Sequence, residues 1–240
     1  MIYFTSDLHL SPRSPGATRI FLDFLAGRAR EAEQLFILGD LFEAWIGDDD
    51  LADPYHAEIA AAFRQATDAG LPISLLHGNR DFLLSAAFAA ATGIRLLPDP
   101  YVLSLPTWQF VLSHGDALCT GDKEYMVFRQ QVRQAEWQQA FLARPLAERR
   151  ALAAQMRARS ELEKQDKAAY LMDVDASATD DFLRQHGYAT MIHGHTHRPA
   201  THDHIVDGIH VERWVLSDWH EDKGDCLCWD GQALRREILT

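Results

Sequence analysis

The sequence predicts an α/β fold in which two packed β-sheets form a sandwich flanked by helices and interrupted by one helical insertion. Three observations lead there. Short apolar runs recur, each stopping at Gly, Asp, Asn or His; helically spaced apolar residues lie between the first three; and the C-terminal third changes to alternation punctuated by turn dipeptides.

The runs are Ile2–Thr5, Gln34–Leu38, Ile73–Leu76, Val111–Ser113 and Thr190–Ile192. Their shortness and near-continuous apolarity suit strands buried on both faces. Between the first three, Ile20, Phe21, Phe24 and Leu25, then Ile59, Ala60 and Phe63, keep the helical period. Strand, helix, strand, helix, strand implies parallel pairing with helical cover. Near the end, Ile209 to Leu216 alternates after Asp207-Gly208, and Cys226 to Trp229 precedes Asp230-Gly231. Each dipeptide is a two-residue hairpin signal, so this part reads as antiparallel sheet.

Residues 123–170 break the pattern with a helical stretch free of strand signals. Ten Lys and Arg against six Asp and Glu make the segment net +4, while the rest of the chain carries −16. Tyr125, Phe128, Val132, Trp137, Phe141 and Leu142 can share one face. The chain reads as a single domain over residues 1–240 with an insertion at 123–170, which on composition alone is a helical hairpin packed on the core.

Composition excludes several classes of function. With 47% hydrophobic and 24% charged residues among 240, the chain can bury a sizeable core. A net charge of −12 repels the phosphate backbone whose neutralisation drives nucleic-acid binding, so no nucleic-acid partner is expected. Cys119, Cys226 and Cys228 form neither an even disulfide framework nor a C-x-x-C pair, which fits a reducing compartment. No basic segment precedes an apolar run at the start and no 18 consecutive apolar residues occur, so neither a signal peptide nor a membrane span is expected. Asp48, Asp49 and Asp50 read as a solvated acidic turn.

Five segments carry the chemistry: Asp7-Leu8-His9, Gly39-Asp40, Gly78-Asn79-Arg80-Asp81, His114-Gly115-Asp116 and Gly194-His195-Thr196-His197. Each follows an apolar run. Residues i and i+2 of an extended chain point the same way, so Asp7 with His9 and His195 with His197 can present paired ligands. Carboxylate, imidazole and amide oxygen suit Mn, Fe, Zn or Mg.

This ordered set resembles the calcineurin-like metallophosphoesterases over residues 7 to 197. The resemblance implies a two-sheet metallophosphoesterase sandwich and two divalent ions. Asp7, His9, Asp40 and His197 would hold one, and Asp40, Asn79, His114 and His195 the other, with Asp40 the only bridging carboxylate. Such pairs of ions orient a phosphate oxygen and promote in-line attack by water. Asp81 and Asp116 are candidates to accept the second N–H of ligand imidazoles, or alternatively to cap their loops.

One departure is informative. Many family members have His after the Asn as the proton donor to an alcohol leaving group, and here the residue is Arg80. Arg keeps its proton but forks onto phosphate. A phosphate leaving group, with a second pKa of about 6, departs without protonation, which points to pyrophosphates.

The longer runs Thr5-Ser-Asp-Leu-His-Leu-Ser, Gly39-Asp-Leu-Phe-Glu-Ala-Trp-Ile-Gly-Asp-Asp, His77-Gly-Asn-Arg-Asp-Phe-Leu and Ile192-His-Gly-His-Thr-His-Arg-Pro resemble the UDP-2,3-diacylglucosamine pyrophosphohydrolases of the lipid A pathway. That resemblance implies water attack at the uridine-bound phosphorus, giving UMP and 2,3-diacylglucosamine 1-phosphate, usually with Mn²⁺. It implies catalytic roles for Asp40, Asn79, Arg80 and His195. It also implies substrate contacts from Asn79, Arg80, Asp122, Tyr125, Ser160, Lys164, Lys167 and His195, and a peripheral position on the cytoplasmic face of the inner membrane.

The insertion would be a lid over the acyl chains, walled by Tyr125, Phe128, Trp137, Phe141 and Leu142. Arg149, Arg150, Arg157 and Arg159 would face anionic headgroups. Ser160, Lys164 and Lys167 share a helix face that also suits plain solvation. Competing readings are a phosphoesterase for other phosphodiesters and a metal-free scaffold of the same fold.

Overall fold

A computed structural model describes residues 1–166 and 173–240, with the side chains of 161–166 left out of that description. The first half opens as expected with β1 (Ile2–Thr5), α1 (Pro15–Ala26), β2 (Gln34–Leu38), α2 (Pro54–Asp68) and β3 (Ile73–Leu76), and continues the alternation with α3 (Ala86–Thr92) and β4 (Arg95–Leu97). Four of these strands run parallel in the order β1, β2, β3, β4. The sheet is completed on the other side of β1 by an antiparallel pair, β10 (Gly224–Trp229) and β11 (Leu234–Leu239). A second sheet has the order β5 (Tyr101–Ser104), β6 (Gln109–Ser113), β7 (Thr190–His193), β9 (Ile209–Val215), β8 (Ala200–Val206).

The period of two explains the layers. Tyr3, Leu35, Ile37 and Leu75 point to one side and pack with Ile20, Phe21, Ile59 and Phe63 of α1 and α2. Their neighbours Phe4, Phe36, Leu38 and Leu76 point to the other and meet Phe110, Leu112 and Ile192 of the second sheet. Strands buried on both faces need no polar alternation, which is why they appear in the sequence as plain apolar runs. A third cluster, Val111, Met191, Val206 and Val211, is covered by Leu183 of α7 (Ala176–Gln185).

The hairpin at Asp207-Gly208 has both central residues at positive φ, 54° and 81°, between the paired Val206 and Ile209. The second hairpin differs from expectation. Trp229 pairs with Leu234, so the turn holds four residues, and Asp230 closes it by accepting from the amides of Gln232 and Ala233. The strands β4 and β5 carry no sequence signal of the expected kind, being short and partly exposed.

The insertion forms α4 (Lys123–Val132), α5 (Ala135–Leu142) and α6 (Leu146–Asp166). Among the described residues no helix is long and apolar enough to cross a membrane. The acidic turn is not solvated as expected. Asp48 accepts from Trp45 Nε1 and from the amides of Ser85 and Phe88 at the start of α3. Asp49 pairs with buried Arg149, and Asp50 with Arg150 and His56. Two of the three aspartates therefore anchor α6 to the body of the protein.

Candidate functional site

The loops following β1, β2, β3, β6 and β7 meet at the carboxyl ends of their strands, where open α/β sheets place ligands. They are stitched together by main chain: Asp7 N donates to Gly39 O at 3.1 Å, His9 N to Asp40 O at 3.1 Å, and Gly194 N to His114 O at 3.1 Å. Among the described residues seven non-glycine residues adopt positive φ, and five of them are Asp7, His9, Asp40, His195 and His197. Such backbone is costly for L-residues and persists where surrounding contacts impose it, commonly at functional sites.

Their side chains converge in two overlapping groups, Asp7 with His9 and His197, and Asp7 with Asp40 and His114. His9 Nε2 lies 3.2 Å from His197 Nε2, and His197 Nε2 lies 3.3 Å from Asp7 Oδ1. His114 Nε2 is 3.6 Å from Asp40 Oδ1. His114 Nε2 and His195 Nδ1 both face the single Oδ1 of Asn79, at 2.9 and 2.8 Å. All seven residues read from the sequence as ligands thus occupy one cluster. Asp7 stands in both groups, so two carboxylates face the shared space, whereas the sequence reading assigned the bridge to Asp40 alone.

This cluster fits divalent cations. Asp7 Oδ1 is buried without a hydrogen-bond donor, an arrangement that costs free energy unless a cation or water meets it. Imidazole nitrogens crowd around carboxylate and amide oxygens, a hard and borderline donor set without sulfur. His114 Nδ1 donates to Leu38 O at 2.9 Å, which fixes the ring with its Nε2 turned toward the cluster.

The electrostatics have the same character. Burial opposes ionisation of Asp7, yet the neighbouring His197, 3.3 Å away, holds its carboxyl well below the usual range. Burial likewise opposes protonation of His114, but the Asp40 and Asp7 carboxylates push it up to about 9. His197 rises to about 10 against the same penalty through Asp218 and Asp7. Burial, aided by His114, presses His195 down to about 3. Two imidazoliums thus supply the positive charge that the buried carboxylates demand.

The supporting partners decide between the two roles open to Asp81 and Asp116, in favour of fastening their loops. Asp81 takes no imidazole proton; it accepts from Leu41 N at 2.7 Å and Gly78 N at 2.8 Å, clipping the second and third loops together. Asp116 is buried and receives Tyr125 Oη at 2.6 Å and Arg129 Nε at 2.8 Å, binding α4 to the fourth loop. A carboxylate that does meet a candidate ligand's second nitrogen is Asp218, 3.2 Å from His197 Nδ1. Asp218 follows the apolar run of β9 as the other ligand loops follow theirs, so the signal was present in the sequence.

Arg80 lies on the rim. Its amide donates to Asp40 Oδ1 at 2.9 Å, its Nε is 3.3 Å from Asp40 Oδ2 and its Nη1 is 2.8 Å from Glu43 Oε1. From here a cavity of about 580 Å³ opens under the insertion, lined by Asn79, Arg80, Asp122, Tyr125, Ser160 and His195 at its polar side. Phe82, Phe128, Trp137 and Phe141 line its apolar side, with Trp137 and Phe141 stacked at 5.0 Å. Tyr125 also stacks on the His195 ring at 5.7 Å. Asp122 is the N-cap of α4, accepting from Tyr125 N at 3.1 Å.

Leu142 is not part of this wall; it is 40% exposed. The side chain of Lys164 and all of Lys167 lie outside the described residues. Of the arginines expected to face headgroups, Arg149 pairs with Asp49, Arg150 with Asp50 and Asp53, and Arg157 with Glu43, so these three fasten the insertion to the core instead.

A family model described as calcineurin-like phosphoesterase matches residues 1–199. A UDP-2,3-diacylglucosamine hydrolase of Aromatoleum aromaticum is 50% identical over 228 residues, 95% of this chain and 92% of that protein. One from Aeromonas hydrophila is 48% identical and covers 98% of both chains. One from Escherichia coli is 47% identical over 219 residues, 91% of each.

Proposed function

The chain belongs to the calcineurin-like phosphoesterase family and, within it, to the UDP-2,3-diacylglucosamine hydrolases; on that footing we propose how its site works. The substrate is UDP-2,3-diacylglucosamine, and hydrolysis at the uridine-bound phosphorus releases UMP and 2,3-diacylglucosamine 1-phosphate. The observation that carries this reading is the single cavity that runs from clustered carboxylates, imidazoles and Arg80 to the Trp137 and Phe141 wall. One molecule with phosphates at one end and fatty chains at the other matches both ends.

Asp7, His9, Asp40 and His197 would hold one divalent ion, and Asp40, Asn79, His114 and His195 a second; among the ions this donor set suits, Mn²⁺ is the one we propose. Bound there, the ions would lower the pKa of water and neutralise phosphoryl oxygens. The protein's own groups do the rest. Arg80, held by Asp40 and Glu43, directs its fork at the phosphate and favours charge as it builds on the leaving phosphate. It donates no proton, and none is required, because the leaving group is itself a phosphate. Asn79 and His195 share one hydrogen-bonded geometry, so a phosphoryl oxygen beside them meets fixed rather than mobile dipoles.

The apolar wall gives affinity for the acyl chains, each buried methylene contributing about 0.8 kcal/mol. We read the protein as peripheral to the cytoplasmic face of the inner membrane. Support comes from the acyl-binding role of the cavity and from Val127, 67% exposed on α4 beside it.

The test is hydrolysis of UDP-2,3-diacylglucosamine in ¹⁸O-water by Mn²⁺-loaded protein, beside an aryl phosphomonoester. The label is expected in UMP, with strong preference for the diacyl substrate. Label in the sugar phosphate would refute the assigned point of attack, and preference for the monoester would refute the role of Arg80 and the cavity.

A further inference from the structure

Glu43 is an acidic group of the site to which the scheme above gives only the holding of Arg80. It follows Phe42 in the loop after β2, 38% of its side chain is exposed, and it lines the cavity. Three groups from separate parts of the chain meet its carboxylate. Arg80 Nη1 lies 2.8 Å from Oε1, Arg157 of α6 closes on the same oxygen, and His9 Nδ1 is 3.5 Å from Oε2. The His9 contact matters because that ring nitrogen is buried with no hydrogen-bond partner, while its Nε2 faces Asp7 and His197. An imidazole whose Nε2 serves as ligand must carry its proton on Nδ1, and Glu43 is the acceptor nearest to receive it.

We propose that Glu43 is a positioning residue that joins three components of the reaction: the ligand tautomer of His9, the orientation of the Arg80 fork and the docking of α6 through Arg157. This rests on the reading of His9 as a metal ligand. Two guanidiniums on one oxygen of the carboxylate fix its orientation, so its second oxygen is turned to His9 in a set direction. Loss of such an outer partner typically costs about 10- to 100-fold in metal affinity. Because Glu43 approaches His9 and not His114 or His195, the loss should fall on one ion of the pair.

The experiment uses the full chain, stripped of metal and titrated with Mn²⁺, free ion being counted by its paramagnetic resonance signal. Glu43→Ala is expected to bind one Mn²⁺ about 10- to 100-fold more weakly while the other stays within about threefold of the parent. Glu43→Gln should recover most of that affinity, since its amide oxygen still accepts from Nδ1–H. At saturating Mn²⁺, Glu43→Ala should retain a lowered kcat/KM because Arg80 has lost an anchor. Two sites of parental affinity together with parental kcat/KM in Glu43→Ala would overturn the proposal. Should that variant not fold, Glu43→Asp, which retracts the carboxylate by one methylene, carries the same test. A parent protein that itself binds fewer than two ions would instead overturn the metal reading.

Discussion

Replacing Arg149 by Met tests whether the insertion is fastened to the core by the acidic turn. The guanidinium is 2% exposed and bonds Asp49, Ile46 O at 2.6 Å and Arg144 O at 3.0 Å. Asp49 is 59% exposed, so on losing its partner it returns to water and costs about 0–1 kcal/mol. The two carbonyls lose a charged donor, at about 1–3 kcal/mol each where water cannot reach them. About 3 kcal/mol in total is expected. For a chain of this length that lowers Tm by about 6–12 °C if the helix and core unfold together.

If α6 instead detaches alone, the global transition is preserved and protease cleavage within the insertion accelerates by about a hundredfold. Asp49→Ala should also destabilise, but less than Arg149→Met, because the buried guanidinium keeps the carbonyls of Ile46 and Arg144 and loses only its exposed counter-charge. The Arg149 contact holds the Asp49 carboxyl below its ordinary 3.8, so the anchor is complete above about pH 4 and lost as acid protonates Asp49 below that. Calorimetry and timed proteolysis on both variants decide the matter. An Arg149→Met protein with parental Tm and cleavage within twofold of the parent would show that the buried bonds fasten nothing.

Three further outcomes are expected. Asp40→Ala should abolish hydrolysis and reduce bound Mn²⁺ at both sites, measured by metal analysis after gel filtration; two retained ions would refute the shared position. Gly78→Ala should act like a milder ligand mutation, since a Cβ there would overlap the Asp40 carboxylate and its amide. Parental Mn²⁺ affinity in that variant would contradict it. His9→Ala should regain part of its rate at high Mn²⁺, one imidazole being only part of one site; a rate unmoved by added ion would exclude that role.

The layers and the ligand loops were legible because both obey local rules. Strands buried on two faces leave continuous apolar runs, and each ligand loop begins where such a run stops. The Asp207-Gly208 turn was equally plain. What the sequence concealed was pairing across distance. Arg149 with Asp49 and Arg157 with Glu43 join residues about a hundred positions apart, and no local pattern marks which arginine of a basic helix is spoken for. The basic surplus of the insertion was visible, but a charge count does not distinguish a surface offered to lipid from one already turned inward. The four-residue turn after Trp229 escaped for a smaller reason: Asp230-Gly231 suits a tight hairpin, and only the register of β10 against β11 decides its length.

The place of β1 has a consequence for biosynthesis. The strand that delivers Asp7 is made before β2 and long before β10, yet it lies between them, and Trp219 N holds the carbonyl of Asp7 while Trp219 Nε1 holds Thr5. A nascent chain can pair β1 with β2 early, but the clasp behind Asp7 must wait until Trp219 and β10 emerge, some two hundred residues later. Partly made copies therefore carry an open edge on β1 and an unfinished pocket, and hydrolytic competence arrives only with β10.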